Sequence, residues 1–221
     1  MKPNTDLTGG VAVVTGAAGG VGLALALHAA DQGMMVALAD TDEYMLAAAV
    51  EQVRAKNVKA IAVHTDMLDF AAVRELARRS AAELGPPWLV CNNPGVSIEV
   101  NLWGVINGVQ AFAPGMVERG GGHIVNIVAA QLFGIRREAP YVAAMHAMVG
   151  LSEALYRELD SMGSRVGVTL VTPPLVRTHI VGLENLEAGP SVMRDFPLNF
   201  LSPEEIAEKV FAAVATRRFL V

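Results

Sequence analysis

The sequence contains little of what several classes of protein require. Its 221 residues include a single cysteine, Cys91, which excludes a disulfide framework and a cysteine-based metal site. The 5 histidines are scattered, without the paired spacing that metal ligands show. Aromatic residues make up only 5% of the chain, so we expect a core of Ala, Val, Leu and Met.

Clusters of basic charge and long apolar runs are also missing. The chain has 17 Lys and Arg against 22 Asp and Glu, a net charge of −5 spread without blocks. Phosphate-binding surfaces need clustered basic side chains, so no nucleic acid and no anionic membrane is expected as a partner. No apolar run approaches the roughly 18 residues that cross a bilayer, and Met1–Leu7 lacks the pattern of a signal peptide. We therefore expect a soluble, reduced, cytoplasmic protein.

What the sequence does contain is a regular alternation of short β-branched runs and alanine-rich helical stretches. The nearly continuous apolar character of the runs is typical of strands whose two faces are both covered by helices. Six strands are predicted, at Val11–Thr15, Met34–Ala39, Ala60–His64, Trp88–Asn92, His123–Ile127 and Val166–Thr172. Helices are predicted at Val21–Gln32, Glu43–Lys56, Phe70–Leu84, Asn101–Glu118, Tyr141–Met162 and from Ser202 onward, and Phe219–Val221 is a candidate edge strand. The last of these helices starts with the pattern of a capping box, with Ser202 as N-cap, Pro203 at the first position and Glu205 three residues after the cap. The pattern predicts one α/β domain over residues 1–221, a Rossmann-type doubly wound parallel sheet flanked by helices.

A glycine-rich turn joins the first predicted strand to the first helix. It runs from Thr15 to Gly22, with glycines at 16, 20 and 22. Glycines at such a turn let the backbone approach a pyrophosphate, which the free N–H groups and dipole of a helix N-terminus favour. Glycines can also serve the turn alone, but the position between strand and helix favours dinucleotide binding.

An acidic residue, Asp40, ends the second predicted strand. A carboxylate there can accept both ribose hydroxyls of an adenosine and would repel a 2′-phosphate. No Arg or Lys stands beside it in the sequence, so the expected cofactor is NAD rather than NADP. The alternative is that Asp40 starts a turn or caps the next helix, which Asp42 can do equally well.

Beyond these two features, the sequence resembles the classical short-chain dehydrogenase/reductase family over nearly its whole length. The resemblance rests on an ordered set of motifs: Thr15–Gly22, Asp66 after the third strand, Asn92–Gly95, Val100–Gly104, Tyr141 and Val171–Thr178. It implies hydride transfer between a nicotinamide and a small-molecule alcohol or carbonyl substrate, in a homodimer or homotetramer. The implied cofactor-binding residues are Gly16, Gly20, Val21, Gly22, Asp40, Asp66, Met67, Asn93, Tyr141 and Thr178. The implied catalytic residues are Tyr141, which exchanges the proton of the substrate oxygen, and Asn101, which supports a proton-relay water.

The sequence departs from this family at the positions that assist the tyrosine. The resemblance implies a lysine four residues after the tyrosine and a serine about 13 residues before it. Met145 stands at the lysine position, and the serine position falls on Val128, or on Ala129 if the loop is one residue shorter. His146 is adjacent to Met145 but lies on a different face of the helix, while Arg136 and Arg137 are loop residues that either approach the site or are solvated.

Two connecting segments also depart from the resemblance or leave its implications open. Val100 follows Gly95 by only five positions, where relatives carry roughly twenty more residues, so either the cleft is more open or the sequence omits a segment. Residues 179–201 are compatible with a lid over an apolar substrate, or with a loop that packs on its own core. Three hypotheses follow: a dehydrogenase with weakened or atypical catalysis, a non-catalytic NAD-binding protein, and an inactive variant of such an enzyme.

Overall fold

The computed structural model describes residues 6–94, 99–128, 139–173 and 201–221. Six strands are present there: β1 Val11–Thr15, β2 Met35–Asp40, β3 Ala60–His64, β4 Leu89–Asn92, β5 Gly122–Ile127 and β6 Val166–Val171. The helices are α1 Gly20–Asp31, α2 Glu43–Arg54, α3 Phe70–Glu83, α4 Val105–Glu118, α5 Ala139–Ser161 and α6 Pro203–Thr216. All six strands are parallel and form one sheet in the order β3-β2-β1-β4-β5-β6. The predicted α/β class and doubly wound sheet are confirmed.

Both faces of the sheet are covered, as the apolar character of the strands predicts. All five residues of β1 are buried, and alternate side chains join two different cores. Ala12 and Val14 pack in the core with residues of α1, α2 and α6, whereas Val11 and Val13 pack in the core with residues of α3, α4 and α5. This division follows from the two-residue period of a strand.

The order of the strands places a crevice at the carboxyl end of β1. Its neighbours are β2 on one side and β4 on the other, with Val13 paired to Ala37 and to Val90. From β1 the strand order runs outward in both directions, to β2 and β3 on one side and to β4, β5 and β6 on the other. The connections after β1 and β4 therefore lead to opposite faces of the sheet. In open α/β sheets such a switch point is where ligands bind.

The fourth predicted helix differs from expectation at its start. Its first turn, Val100–Gly104, is π-helical, and α4 proper begins at Val105. The wider turn shifts the direction of the following side chains relative to an ordinary α-helix, and such turns are frequent at functional sites.

The carboxyl-terminal residues complete the far edge of the sheet. Residues 219–221 run parallel to β6: Leu170 N–H donates to the Phe219 carbonyl at 2.6 Å, and Val221 N–H donates to the Leu170 carbonyl at 3.0 Å. The preceding helix, α6, begins with the predicted capping box, in which Ser202 and Glu205 each accept a hydrogen bond from the other's backbone N–H. Within the described part of the chain, no helix has the length and apolar character needed to cross a bilayer.

Candidate functional site

The loop between β1 and α1 needs glycine at two of its positions for steric reasons. A Cβ atom on Gly22 would lie 1.9 Å from the carbonyl oxygen of Gly16, and a Cβ on Gly16 would lie 2.5 Å from the carbonyl oxygen of Asn93. Gly16 and Gly20 also have left-handed backbones, with φ of 60° and 54°. Gly19, the N-cap of α1, has no side chain to occupy the first-turn N–H groups, and its own Cβ position is open. The loop therefore presents bare backbone N–H groups in a cradle that fits a pyrophosphate; Val21 begins the buried face of α1 behind it.

The end of β4 holds this loop in place. The backbone N–H of Asn93 donates to Thr15 Oγ1 at 3.1 Å, and Asn93 Nδ2 donates to the Gly16 carbonyl at 3.2 Å. Asn93 thus joins the two loops on either side of the crevice, and its predicted role in cofactor binding stays a prediction.

Asp40 lies at the carboxyl end of β2, facing the same loop. Its Oδ2 accepts a hydrogen bond from Ala18 N–H at 3.0 Å, and its Oδ1 accepts from Thr41 N–H at 2.8 Å and Asp42 N–H at 3.1 Å. The side chain of Asp42 caps α2 by accepting from Met45 N–H at 2.9 Å. The cap and the loop contact are therefore made by two different carboxylates, and Asp40 remains half-exposed at the crevice.

The loop after β3 is fixed by a residue that the sequence analysis does not single out. Asp66 is exposed and accepts from Leu68 N–H at 2.9 Å, while Met67 is buried. Asn107 of α4 donates from Nδ2 to the Met67 carbonyl at 2.8 Å, and a Cβ on Gly104 would lie 3.0 Å from Met67 Cβ. Asn107 therefore ties the predicted adenine-binding loop to α4, and no local sequence signal marks this role.

Asn101 lies in the π-helical turn and is 1% exposed. Among the described residues its Nδ2 has no hydrogen-bond partner, although a buried amide N–H without a partner costs about 1–3 kcal/mol. The turn packs against α5, the helix that begins beside Tyr141. A buried, unpaired donor at this place is suited to a water molecule or a ligand oxygen.

The backbone of Tyr141 lies in the first turn of α5, and its side chain lies outside what the structure describes. Met145, one turn further on, is 1% exposed. It belongs to an apolar cluster with Val105 of α4, Val128 after β5, and Met148 and Leu170. Val128 follows β5 and Met145 lies in α5, and the fold brings these two side chains together in one buried apolar cluster.

A buried row of hydrogen bonds links β4, β5 and α5. Asn92 Nδ2 donates to Asn126 Oδ1 at 2.9 Å, and Asn126 Nδ2 donates to Ser152 Oγ at 3.0 Å. Ser152 Oγ in turn donates to the Met148 carbonyl at 2.8 Å. We call Asn92, Asn126 and Ser152 the polar row. The sequence analysis missed Asn126 and Ser152, because neither residue type is distinctive outside its spatial context.

Residues 10–188 match the family model described as short chain dehydrogenase. The chain belongs to the short-chain dehydrogenase family. Its matched segment contains the glycine loop, Asp40, Asn93, Asn101 and Tyr141. The resemblance found in the sequence is therefore confirmed at the level of the family.

Individual relatives match most of this chain. The probable oxidoreductase EphD of Mycobacterium tuberculosis is 30% identical over 93% of the chain, which spans only 39% of the length of EphD. The 1-deoxy-11-beta-hydroxypentalenate dehydrogenase of Streptomyces avermitilis is 31% identical over 100% of the chain and 84% of its own length. A short chain dehydrogenase/reductase from Burkholderia phymatum, crystallised in complex with NAD, has 33% identity and a TM-score of 0.86, covering 98% of this chain and 89% of its own.

Several residues named by the sequence analysis lie outside the described residues. They are Gly95, Ala129, Arg136, Arg137 and Thr178, with most of the stretch 179–201. Among the residues that are described, no group of three or more His, Cys, Asp and Glu side chains is arranged to hold a metal ion.

Two buried titratable groups near the sheet centre serve the fold of the chain. Burial raises the pKa of the Cys91 thiol to about 12, so this side chain stays protonated and unreactive. Burial, with a smaller contribution from the charge of Arg217, lowers the pKa of His123 to about 3. His123 Nε2 lies 2.8 Å from Thr169 Oγ1, and that hydroxyl donates to the Arg218 carbonyl at 2.7 Å, so Nε2 carries the proton.

Proposed function

We propose that the chain is an NAD-dependent oxidoreductase that interconverts a small or medium apolar alcohol and its carbonyl compound, with weakened or atypical catalysis. The observation that carries the proposal is the Asp40 carboxylate, 3.0 Å from the backbone of the glycine loop and flanked by no basic residue. A negative charge at this point favours an unsubstituted adenosine ribose and repels a 2′-phosphate. NAD in the related Burkholderia phymatum crystal structure supports the same assignment.

The described residues provide a place for each part of the dinucleotide except its nicotinamide end. Backbone N–H groups from Gly19 onward would hold the pyrophosphate at the N-terminus of α1. Asp40 would accept from the ribose, and the loop at Asp66 and Met67 would border the adenine. Asn93 holds the loop that faces them, and Thr178, outside the described residues, is proposed for the nicotinamide carboxamide. When bound, the dinucleotide accepts or supplies a hydride at its nicotinamide ring.

Tyr141 is proposed to exchange the proton of the substrate oxygen, with Asn101 as its support through a bound water. An unassisted tyrosine has a pKa of about 10, so only about one molecule in a thousand is ionised at pH 7. Met145 and Val128 lie in one buried apolar cluster, and their side chains offer the tyrosine neither a cation nor a hydroxyl. We expect turnover about 10³–10⁵-fold below that of a relative with lysine and serine at these positions.

The same cluster favours a second candidate, a protein that binds NAD without turning over a substrate. Loss of the lysine and serine alone would leave the dinucleotide site intact, because the pyrophosphate and adenosine are held by the loops around Gly16 and Asp40. Such a protein would use NAD for sensing or assembly. The unpaired amide of Asn101 argues for the enzyme, since a buried donor without a partner is costly to keep.

A two-part experiment tests these candidates. The first part is a fluorescence titration of the protein with NADH, and with NADPH in parallel. The second is an assay of NAD reduction with a panel of apolar secondary alcohols, comparing the protein with Tyr141→Phe. Tight NADH binding with turnover lost in Tyr141→Phe supports the enzyme, and tight binding without turnover supports the non-catalytic protein. If neither dinucleotide binds, both candidates are wrong.

We also propose that the chain forms a homodimer or homotetramer through α4 and α5. Trp103, in the turn that leads into α4, is 57% exposed, and Tyr156 of α5 is partly exposed as well, so apolar surface remains on these elements. Light scattering coupled to size exclusion tests the proposal, which a strictly monomeric protein would overturn.

A further inference from the structure

Met67 seats the loop after β3 on α4 through both its side chain and its backbone. The side chain is buried in a core that includes residues of α4, and a Cβ on Gly104 would lie 3.0 Å from Met67 Cβ. The Met67 carbonyl accepts a hydrogen bond from Asn107 Nδ2 at 2.8 Å, and the same nitrogen lies 3.5 Å from the Leu68 carbonyl. Gly104 and Asn107 are three residues apart, so both contacts come from one side of the start of the helix.

The loop is also shaped by hydrogen bonds within itself. Leu68 N–H donates to Asp66 Oδ1 at 2.9 Å, and Asp69 N–H donates to the Asp66 carbonyl at 3.1 Å. Donor and acceptor both belong to the loop, so these bonds form the turn without attaching it to α4. The hydrogen bond from Asn107 makes that attachment, and the half-buried side chain of Asn107 lies on the helix that approaches the loop.

The position of this loop matters for a ligand at the crevice. Asp66 is exposed at the head of the loop, directly after Thr65, whose N–H donates to the Asp40 carbonyl at 2.9 Å. When only a fraction of molecules has the binding-competent arrangement, the measured affinity is reduced by that fraction. A contact that keeps the loop seated therefore raises the affinity for a ligand without touching it.

We propose that Asn107 is a positioning residue for the adenine end of the dinucleotide, acting as a hydrogen-bond donor to the Met67 carbonyl. The inference rests on the proposed binding of NAD at this crevice. It goes beyond that proposal because it assigns part of the affinity for the adenosine to a residue of α4, the helix that follows the turn carrying Asn101.

Two substitutions of similar size separate donation of a hydrogen bond from filling of space. Asn107→Leu keeps the volume but removes the donor, so the Met67 carbonyl is left without this partner and a displaced loop is favoured. Asn107→Asp keeps the shape, but an ionised carboxylate cannot donate and repels the carbonyl oxygen. A protonated carboxyl donates again. The carboxylates of Asp66 and Asp69 in the same loop favour that protonated form by raising the pKa of the introduced group.

Isothermal titration calorimetry with ADP at pH 8 and pH 5.5 compares each variant with the unsubstituted protein at the same pH. At pH 8 both variants are expected to bind ADP about 3- to 10-fold more weakly, the usual effect of one hydrogen bond. At pH 5.5 the affinity of Asn107→Asp is expected to move back toward that of the unsubstituted protein, because more of the introduced carboxyl is protonated. The deficit of Asn107→Leu is expected to be the same at both pH values.

Asn57→Asp is the matched control for the change of charge. Asn57 is exposed and precedes β3, at the edge of the sheet opposite the crevice, and its left-handed backbone, with φ of 61°, suits aspartate as well as asparagine. This variant is expected to bind ADP as the unsubstituted protein does at both pH values. Circular dichroism at each pH establishes that the variants are folded. If Asn107→Leu does not fold, the pH dependence of Asn107→Asp decides the question.

Two results would overturn the proposal while leaving NAD binding in place. One is an ADP affinity of Asn107→Leu equal to that of the unsubstituted protein. The other is an Asn107→Asp affinity that has the same ratio to the unsubstituted protein at both pH values, since a role in packing alone does not depend on a proton. If the unsubstituted protein does not bind ADP, the proposed function fails together with the inference.

Discussion

Placing a lysine at position 145 is expected to destabilise the protein strongly. Met145 is 1% exposed and packs in an apolar cluster that includes Val128 and Met148. A buried lysine loses hydration, and its pKa falls by about 3–5 units from its usual value near 10.4. At pH 7 the folded variant Met145→Lys would hold a neutral amine while the unfolded chain carries a charged one. The difference corresponds to about 4–5 kcal/mol, a large part of the roughly 5–15 kcal/mol that stabilises a typical domain.

Urea unfolding followed by circular dichroism, without dinucleotide, measures this effect. Between pH 7 and pH 10 the unfolded variant binds more protons than the folded one, so its unfolding free energy is expected to rise with pH. The rise relative to the unsubstituted protein is about 1.4 kcal/mol per pH unit. Met145→Leu is the control, because a swap of similar volume in a core commonly costs less than about 1.5 kcal/mol and adds no titratable group.

The reasoning is refuted if Met145→Lys unfolds at the same urea concentration as Met145→Leu and shows no added dependence on pH. Position 145 would then open to water, and a lysine there could take up the role that the family resemblance implies. The expected result has a further meaning for the proposed function. We expect that Met145→Lys alone would not produce an efficient dehydrogenase, because the neighbouring Val128 offers the new amine no hydrogen-bond partner from its side chain.

Three further predictions concern the loop, the sheet and the last helix. Gly22→Ala is expected to abolish NADH binding, because its Cβ would lie 1.9 Å from the Gly16 carbonyl oxygen. Gly19→Ala is the control and is expected to bind NADH, because the space around its Cβ is open. Equal NADH titration curves for the two variants would contradict this. The unfolded chain protonates His123 near pH 6.5 and the folded chain only near pH 3. The free energy of unfolding is therefore expected to fall as the pH is lowered across this window, by up to about 1.4 kcal/mol per pH unit. The fall is expected to be smaller in His123→Gln, and urea unfolding at pH 7 and pH 4.5 would measure it. Ser202→Ala is expected to cost about 1 kcal/mol through loss of the cap on α6, and an unchanged thermal midpoint would argue against the cap's importance.

The regular parts of the fold could be predicted from the sequence because local signals and burial agree there. The first and third strands, Val11–Thr15 and Ala60–His64, have the predicted bounds, and the other four strands differ by one residue at one or both ends. The capping box at Ser202 is formed as predicted, because its side chains act on their own backbone. The approach of Gly16 to Asn93 also follows from the strand order, which places β1 beside β4.

The remaining features depend on contacts between distant parts of the chain. Asn107 meets the Met67 carbonyl across 40 residues, and Asn126 meets Ser152 across 26 residues. Nothing in the local pattern of either segment distinguishes such an asparagine from a solvated one. The π-helical turn at Val100–Gly104 was likewise predicted as ordinary helix, because apolar periodicity does not record one extra residue per turn.

The polar row has a consequence for how the chain avoids misfolding. Strands β4 and β5 are built mainly from apolar residues, so several alignments between them would bury similar surface. In the native alignment Asn92 stands directly opposite Asn126. A slip of two residues would keep every side chain on its face but separate the two amides by about 6–7 Å along the strands. Each amide left alone in the apolar interior would cost about 1–3 kcal/mol, so the asparagine pair selects one alignment from several that apolar packing alone would tolerate.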